Sequence, residues 1–183
     1  MKKIFVVLTI LGVMALTACK SSDNVQNSQS KDSAAGEENS TIANPWTESD
    51  AQGVLDATGF ELIAPDGATD ATYRYNESEG IAEMTYVLDG GTWTYRMQSA
   101  SELTDISGMY YDWTLQDEGL VANMPAQYLA YSDATEDTEY IDNVFGVEVV
   151  NWFDETAQVV HSLSISGTDI NGIDIQVFAE QLL

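Results

Sequence analysis

The chain has 183 residues, with thirty carboxylates against six Lys and Arg and a formal net charge of −24. That balance excludes the cationic footprint of a nucleic-acid binder, and an anionic lipid headgroup surface would repel the chain as well. A single cysteine excludes an intrachain disulfide, and with only one histidine beside it the ligand set argues against a zinc site.

Lys2 and Lys3 precede an apolar run from Ile4 to Leu16, thirteen residues long. A membrane-spanning helix needs about 20, so the run reads as an export signal rather than an anchor. It ends in Leu16-Thr17-Ala18-Cys19, which is similar to the lipobox of bacterial lipoproteins. In that family a diacylglyceryl group is attached to the cysteine sulfur before a peptidase cuts in front of it. The resemblance implies a signal peptide over residues 1–18 and lipid attachment at Cys19. A plain secretory signal with an incidental cysteine is the alternative. Lys20 to Thr41 is rich in Ser, Asn and Gln, lacks aromatics and shows no apolar period, so residues 19–43 are expected to form a lipidated, disordered tether. A flexible chain of this length has a typical span of ~25–30 Å.

Residues 44–183 are expected to form one domain. Thr47 is placed to cap a first helix with acids in its opening turn, Ala51, Val54, Leu55 and Thr58 on its buried face, and Gly59 as its stop. Phe60–Ala64 reads as a short strand ending at the Pro65-Asp66-Gly67 turn. Period-two alternation then puts Tyr73 and Tyr75 on one face with Arg74 on the other. It continues through Ala82, Met84, Tyr86 and Leu88, and after the Asp89-Gly90-Gly91 hairpin turn through Trp93, Tyr95 and Met97. Met109, Tyr111, Trp113 and Leu115 repeat the scheme. Ala126–Tyr131, Val144–Phe153 and Val159–Ile165 complete the strands, and Val147–Trp152, apolar on both parities, suggests a central or doubly covered strand. Ile173–Leu183 has helical spacing. The expected fold class is α+β: an N-terminal helix, an antiparallel β-meander of about six to eight strands with one buried aromatic-rich face and one wet face, and a C-terminal helix.

Several short motifs carry a family likeness. They are Asn44-Pro45-Trp46, Ala57-Thr58-Gly59-Phe60, the aromatic hairpin, Asp105-Ile106-Ser107-Gly108, Asn151-Trp152-Phe153 and His161-Ser162-Leu163-Ser164-Ile165. Together the domain resembles uncharacterised lipoproteins of Gram-positive, clostridial-type bacteria with DUF4367-type domains. The stretch from Gly119 to Asn143 departs most from that pattern. The resemblance implies an extracytoplasmic α+β module and carries over no catalytic residues.

No catalytic constellation is recognisable in the sequence. His161 falls on the strand parity of Val159, Leu163 and Ile165, which places it at a core edge, and no G-x-S-x-G elbow accompanies it. A glycosidase-like acid pair needs only two carboxylates, and most of the acids here are expected to be solvated. Asp133 to Glu139 is the densest acidic run but lacks the spacing and glycine of an EF-hand loop. Arg74 and Arg96 fall on the same outward face of neighbouring strands, where they can pair with Glu83 or form a small anion-binding patch. Trp93, Trp113 and Trp152 could line a sugar platform, but their Met and Leu neighbours favour core packing.

These readings converge on a lipoprotein held at the outer face of the cell membrane through the lipid on Cys19. No catalytic, cofactor or metal residues are assigned. The domain is expected to be a monomeric, non-enzymatic binding or structural module with an unidentified extracellular ligand or protein partner. Two alternatives stay open: a carboxylate-based hydrolase of cell-wall or extracellular glycans, and a calcium-dependent surface module.

Overall fold

A computed structural model describes residues 44–134, 144–168, 170 and 173–183. The first element is not a helix but a three-residue strand, β1 (Thr47–Ser49), whose residues pair with Tyr75, Arg74 and Tyr73. Asp50 rather than Thr47 therefore caps helix α1 (Ala51–Thr58), accepting a hydrogen bond from Gly53 N at 2.8 Å. Gly59 ends it at φ 80°, its N–H donating to Leu55 O at 2.8 Å. The Phe60–Ala64 segment, expected as a strand, forms no ladder; Leu62 is buried beneath it and Phe60 and Ala64 pack around the same core.

The alternating middle of the chain gives β2 (Thr69–Asn76), β3 (Ile81–Leu88) and β4 (Gly91–Ser99). The β3–β4 turn has Asp89 at φ 52° and Gly90 at φ 80° between the paired Leu88 and Gly91, as a two-residue hairpin loop requires. The strand expected over 109–115 is absent. Residues 100–114 form an irregular crossover, and β5 (Leu115–Val121) begins only at its end. The period-two signal there has a different origin: Met109 and Trp113 drop onto Leu129, Val147 and Val149, while Tyr110 and Asp112 stay exposed. A second two-residue hairpin, with Ala122 and Asn123 at φ 45° and 72°, joins β5 to β6 (Met124–Ser132). Strands β7 (Gly146–Asp154) and β8 (Val159–Gly167) and a short helix α2 (Ile175–Glu180) complete the described elements.

All eight strands form one antiparallel sheet in the order β1-β2-β3-β4-β8-β7-β6-β5. This is two four-stranded meanders joined at a β4–β8 seam, where the single meander expected from sequence would have run in chain order. Crossing from β4 to the far edge spans β8, β7 and β6, about 20 Å at ~4.8 Å per strand, and the 100–114 segment supplies that length.

The crossover overturns the expectation of one wet face. On one side of the sheet, Ala82, Met84, Tyr86, Trp93, Tyr95, Val150, Trp152, Leu163 and Ile165 form the main core with α1 and α2, and Trp93 stacks on Phe178 at 4.3 Å. On the other side Ile106 packs with Phe153 and Val160 beneath the crossover. Strands β7 and β8 are accordingly buried on both parities, which accounts for the apolar residues at both registers of Val147–Trp152.

Candidate functional site

On the face of the sheet that carries the crossover runs a single cross-strand row to which every strand contributes a polar residue. In register from one edge to the other it reads Glu48, Arg74, Glu83, Arg96, Ser162, Asn151, Gln127 and Glu118. Its first four members alternate in charge. Glu83 is only 1% exposed and receives both arginines: Arg74 Nε meets Oε1, while Arg96 Nε and Nη2 reach Oε2 at 2.7 and 2.6 Å. The pairing of Arg74 and Arg96 with Glu83 follows from strand parity; the burial of Glu83 does not. A buried ion pair or triad is commonly no more stabilising than an apolar replacement of equal volume.

The Asp105–Gly108 loop closes over this row. Arg96 Nη1 donates to Ile106 O at 2.9 Å, and Asn151 Nδ2 donates to Asp105 Oδ1 at 3.2 Å. Gly108, at φ 68°, lies so close to the Arg96 guanidinium that a Cβ there would collide with it. Ser162 Oγ and Asn151 Oδ1 are fully buried without a hydrogen-bond partner among the described residues.

Trp46 lies over both arginines, 4.5 Å from Arg74 Cζ and 5.2 Å from Arg96 Cζ to the ring centroid. Such stacking is worth about 0.5–2 kcal/mol per pair and fixes the ring. Beside it opens a cleft of about 380 Å³ lined by Trp46, Arg96 and Tyr110, the last of which is 94% exposed. Asn76, Glu79, Gln98 and Asp105 add to its polar lining. Asn76 is buried and held by Ser78 Oγ and Glu79 N, which donate to its Oδ1 at 2.7 and 3.3 Å. Gln98 Nε2 donates to Glu79 O at 2.8 Å.

The remaining sequence candidates lie elsewhere. His161 is buried on the main-core face, 7% exposed, stacked on Trp152 at 4.9 Å and bonded through Nδ1 to Tyr95 Oη at 2.7 Å. Burial lowers its pKa from 6.5 to about 4, with the charge of Asp154 opposing that fall. Trp93 and Trp152 are core residues, whereas Trp113 packs on the opposite sheet face. Glu148, on β7, is half-buried; desolvation first and the charge of Asp174 second raise its pKa from 4.5 to about 7. Cys19 lies outside the described residues, as does most of the Asp133–Glu139 run. Among the described residues no group of His, Cys, Asp or Glu is placed to hold a metal ion, and no helix is long and apolar enough to cross a membrane.

Sequence reasoning missed Trp46 as a site residue, and with it Asn151 and Ser162. The available signal was Asn151 between Val150 and Trp152 in β7, and Ser162 alternating with Ser164 and Ser166 in β8. Comparison with known proteins finds no matching family model, no matching curated protein and no matching solved structure.

Proposed function

We propose that this chain is an extracytoplasmic lipoprotein resembling the DUF4367-type modules, anchored through the lipid on Cys19. Its α+β domain acts as a non-enzymatic binding module whose site is the Trp46–Tyr110 cleft. One observation carries the binding assignment. The only two arginines of residues 44–183, in a segment with twenty-six acids and no lysine, are both drawn to Glu83 under Trp46 at the wall of that cleft. A buried ionic row of this kind adds little stability over apolar packing, so its placement beside an open, aromatic-flanked cleft is better explained by recognition than by folding.

The test is thermal unfolding of the full-length lipidated protein with a panel of extracytoplasmic solutes: oligosaccharides, short peptides, dicarboxylates and nucleotides. The expected result is a rise in Tm for one class that disappears in Tyr110→Ala. A panel that shifts nothing, or a shift that Tyr110→Ala leaves intact, refutes the assignment.

A second reading, the carboxylate-based glycan hydrolase, draws on Glu148, whose raised pKa beside Asp174 suits a general acid. It requires hydrolysis of a cell-wall or extracellular glycan that Glu148→Gln abolishes. Glu148 does not line the Trp46–Tyr110 cleft, which is why the binding reading stands first.

A further inference from the structure

We infer that the Trp46–Tyr110 cleft takes a neutral saccharide, an inference that rests on the cleft being the binding site proposed above. The first argument is charge. Glu79 and Asp105 line the cleft against Arg96 alone, and the Arg96 guanidinium is already committed through Nε and Nη2 to Glu83 and through Nη1 to Ile106 O. A phosphate or carboxylate ligand would meet two acids and a single guanidinium whose charge is partly offset by the Glu83 it shares with Arg74, so an anion gains little here.

The second argument is the pattern of free hydrogen-bonding edges. Asn76 uses its Oδ1 internally, which leaves its amide N–H groups as donors. Gln98 is held the opposite way round, through its Nε2, and keeps its carbonyl oxygen as an acceptor. Asp105 Oδ1 accepts from Ser107 N at 2.9 Å and from Asn151 Nδ2, leaving Oδ2 as a further acceptor. Each η-nitrogen of Arg96 retains a second N–H. The cleft thus offers donors and acceptors together, on planar side chains oriented by bonds made before any ligand arrives. An anion would use only the donors and a cation only the acceptors. Adjacent hydroxyl groups, each both donor and acceptor, use both sets.

The third argument is the apolar complement. Trp46, in the lining, is held by the two guanidinium groups, and Tyr110, also in the lining, is almost wholly exposed to solvent. Aromatic rings with a polar rim suit a ligand that has C–H faces and hydroxyl edges. The volume of about 380 Å³ lies within the ~300–1,000 Å³ range of small-molecule clefts and has room for a short oligosaccharide.

The experiment is titration calorimetry of the full-length lipidated protein in a zwitterionic, non-glycosidic detergent. The probes are cellotetraose, xylotetraose, mannotetraose and chitotetraose, with tetragalacturonate as the acidic counterpart. The expected result is saturable binding of at least one neutral probe with Kd below about 1 mM, weakened roughly tenfold or more by Tyr110→Ala and by Gln98→Ala. Tetragalacturonate should bind at least about tenfold more weakly than that probe. Failure of every neutral probe to bind at about 10 mM overturns the inference, as does tighter binding of the acidic probe. If an acidic ligand prevails and is still lost in Tyr110→Ala, the saccharide chemistry falls and the cleft assignment survives. If binding survives both substitutions, both fall. Tyr110 is exposed, so an unchanged Tm in Tyr110→Ala separates lost binding from lost folding.

Discussion

Replacing Glu148 by Gln should expose a pH dependence of stability that the wild-type protein conceals. Glu148 is raised from 4.5 to about 7 by burial, so between those values the folded protein holds a proton that the unfolded chain has released. Its contribution to stability therefore grows as pH falls through that window. His161 is lowered from 6.5 to about 4, so over that range the unfolded chain takes up a proton that the folded protein refuses. Its contribution shrinks as pH falls. Each pKa is displaced by about 2.5, and at about 1.4 kcal/mol per pKa unit that is ~3 kcal/mol for the enclosed His161. For the half-buried Glu148, solvent screening reduces the figure to about 2 kcal/mol. The windows overlap from about pH 4.5 to 6.5, and there the two slopes oppose each other. Urea denaturation at half-unit pH steps is the assay. Relative to wild type at each pH, Glu148→Gln should lose about 2 kcal/mol between pH 6.5 and 4.5, and it should gain stability near pH 8. Taking differences from wild type cancels the general relief of acidic repulsion. A Glu148→Gln curve parallel to wild type throughout would refute the reasoning. His161→Gln should deviate in the opposite direction, rising as pH falls.

Glu83→Gln leaves Arg74 and Arg96 together under Trp46 without their shared counter-charge, so unfolding free energy should drop by about 3 kcal/mol; a loss under about 1 kcal/mol in urea titrations would show that the row is solvated. Ala122 occupies the left-handed region at φ 45° in the β5–β6 turn, and Ala122→Gly should gain up to about 1 kcal/mol, with a fall in Tm counting against the turn geometry. Cys19→Ala should abolish lipid labelling and membrane retention on fractionation. A variant that stays in the membrane fraction removes the lipoprotein assignment.

Legibility in the sequence followed the locality of each signal. The β3–β4 hairpin could be read because Asp89-Gly90 names its own turn, and β7 and β8 because β-branched, aromatic and aliphatic residues recur along each of them. The β5–β6 hairpin could not, since Ala122 and Asn123 occupy a turn that favours Asn-Gly or Asp-Gly and their strain is borne by the ladder on either side. Residues 109–114 looked like a strand because the crossover alternates against a sheet surface, and alternation reports a surface rather than a ladder. The short β1 was hidden by helix-start chemistry at Thr47, which long-range pairing with Tyr75 overrode. Of the site, the Arg74–Glu83–Arg96 contacts were legible from parity alone. Trp46 was not, because its partners lie on strands about thirty and fifty residues away and stacking on a cation has no local pattern.

The β4–β8 seam gives the domain a late closing step. Tyr95 and His161, bonded across it, are 66 residues apart, and β8 is the last strand among the described residues. Until β8 arrives, the first meander ends in an open β4 edge and the second in an open β7 edge, so neither half can complete its sheet. Closure of the sheet therefore waits for β8. A polypeptide that cannot close early remains threadable, and in a chain exported as proposed here the seam would keep the domain translocation-competent until β8 has crossed.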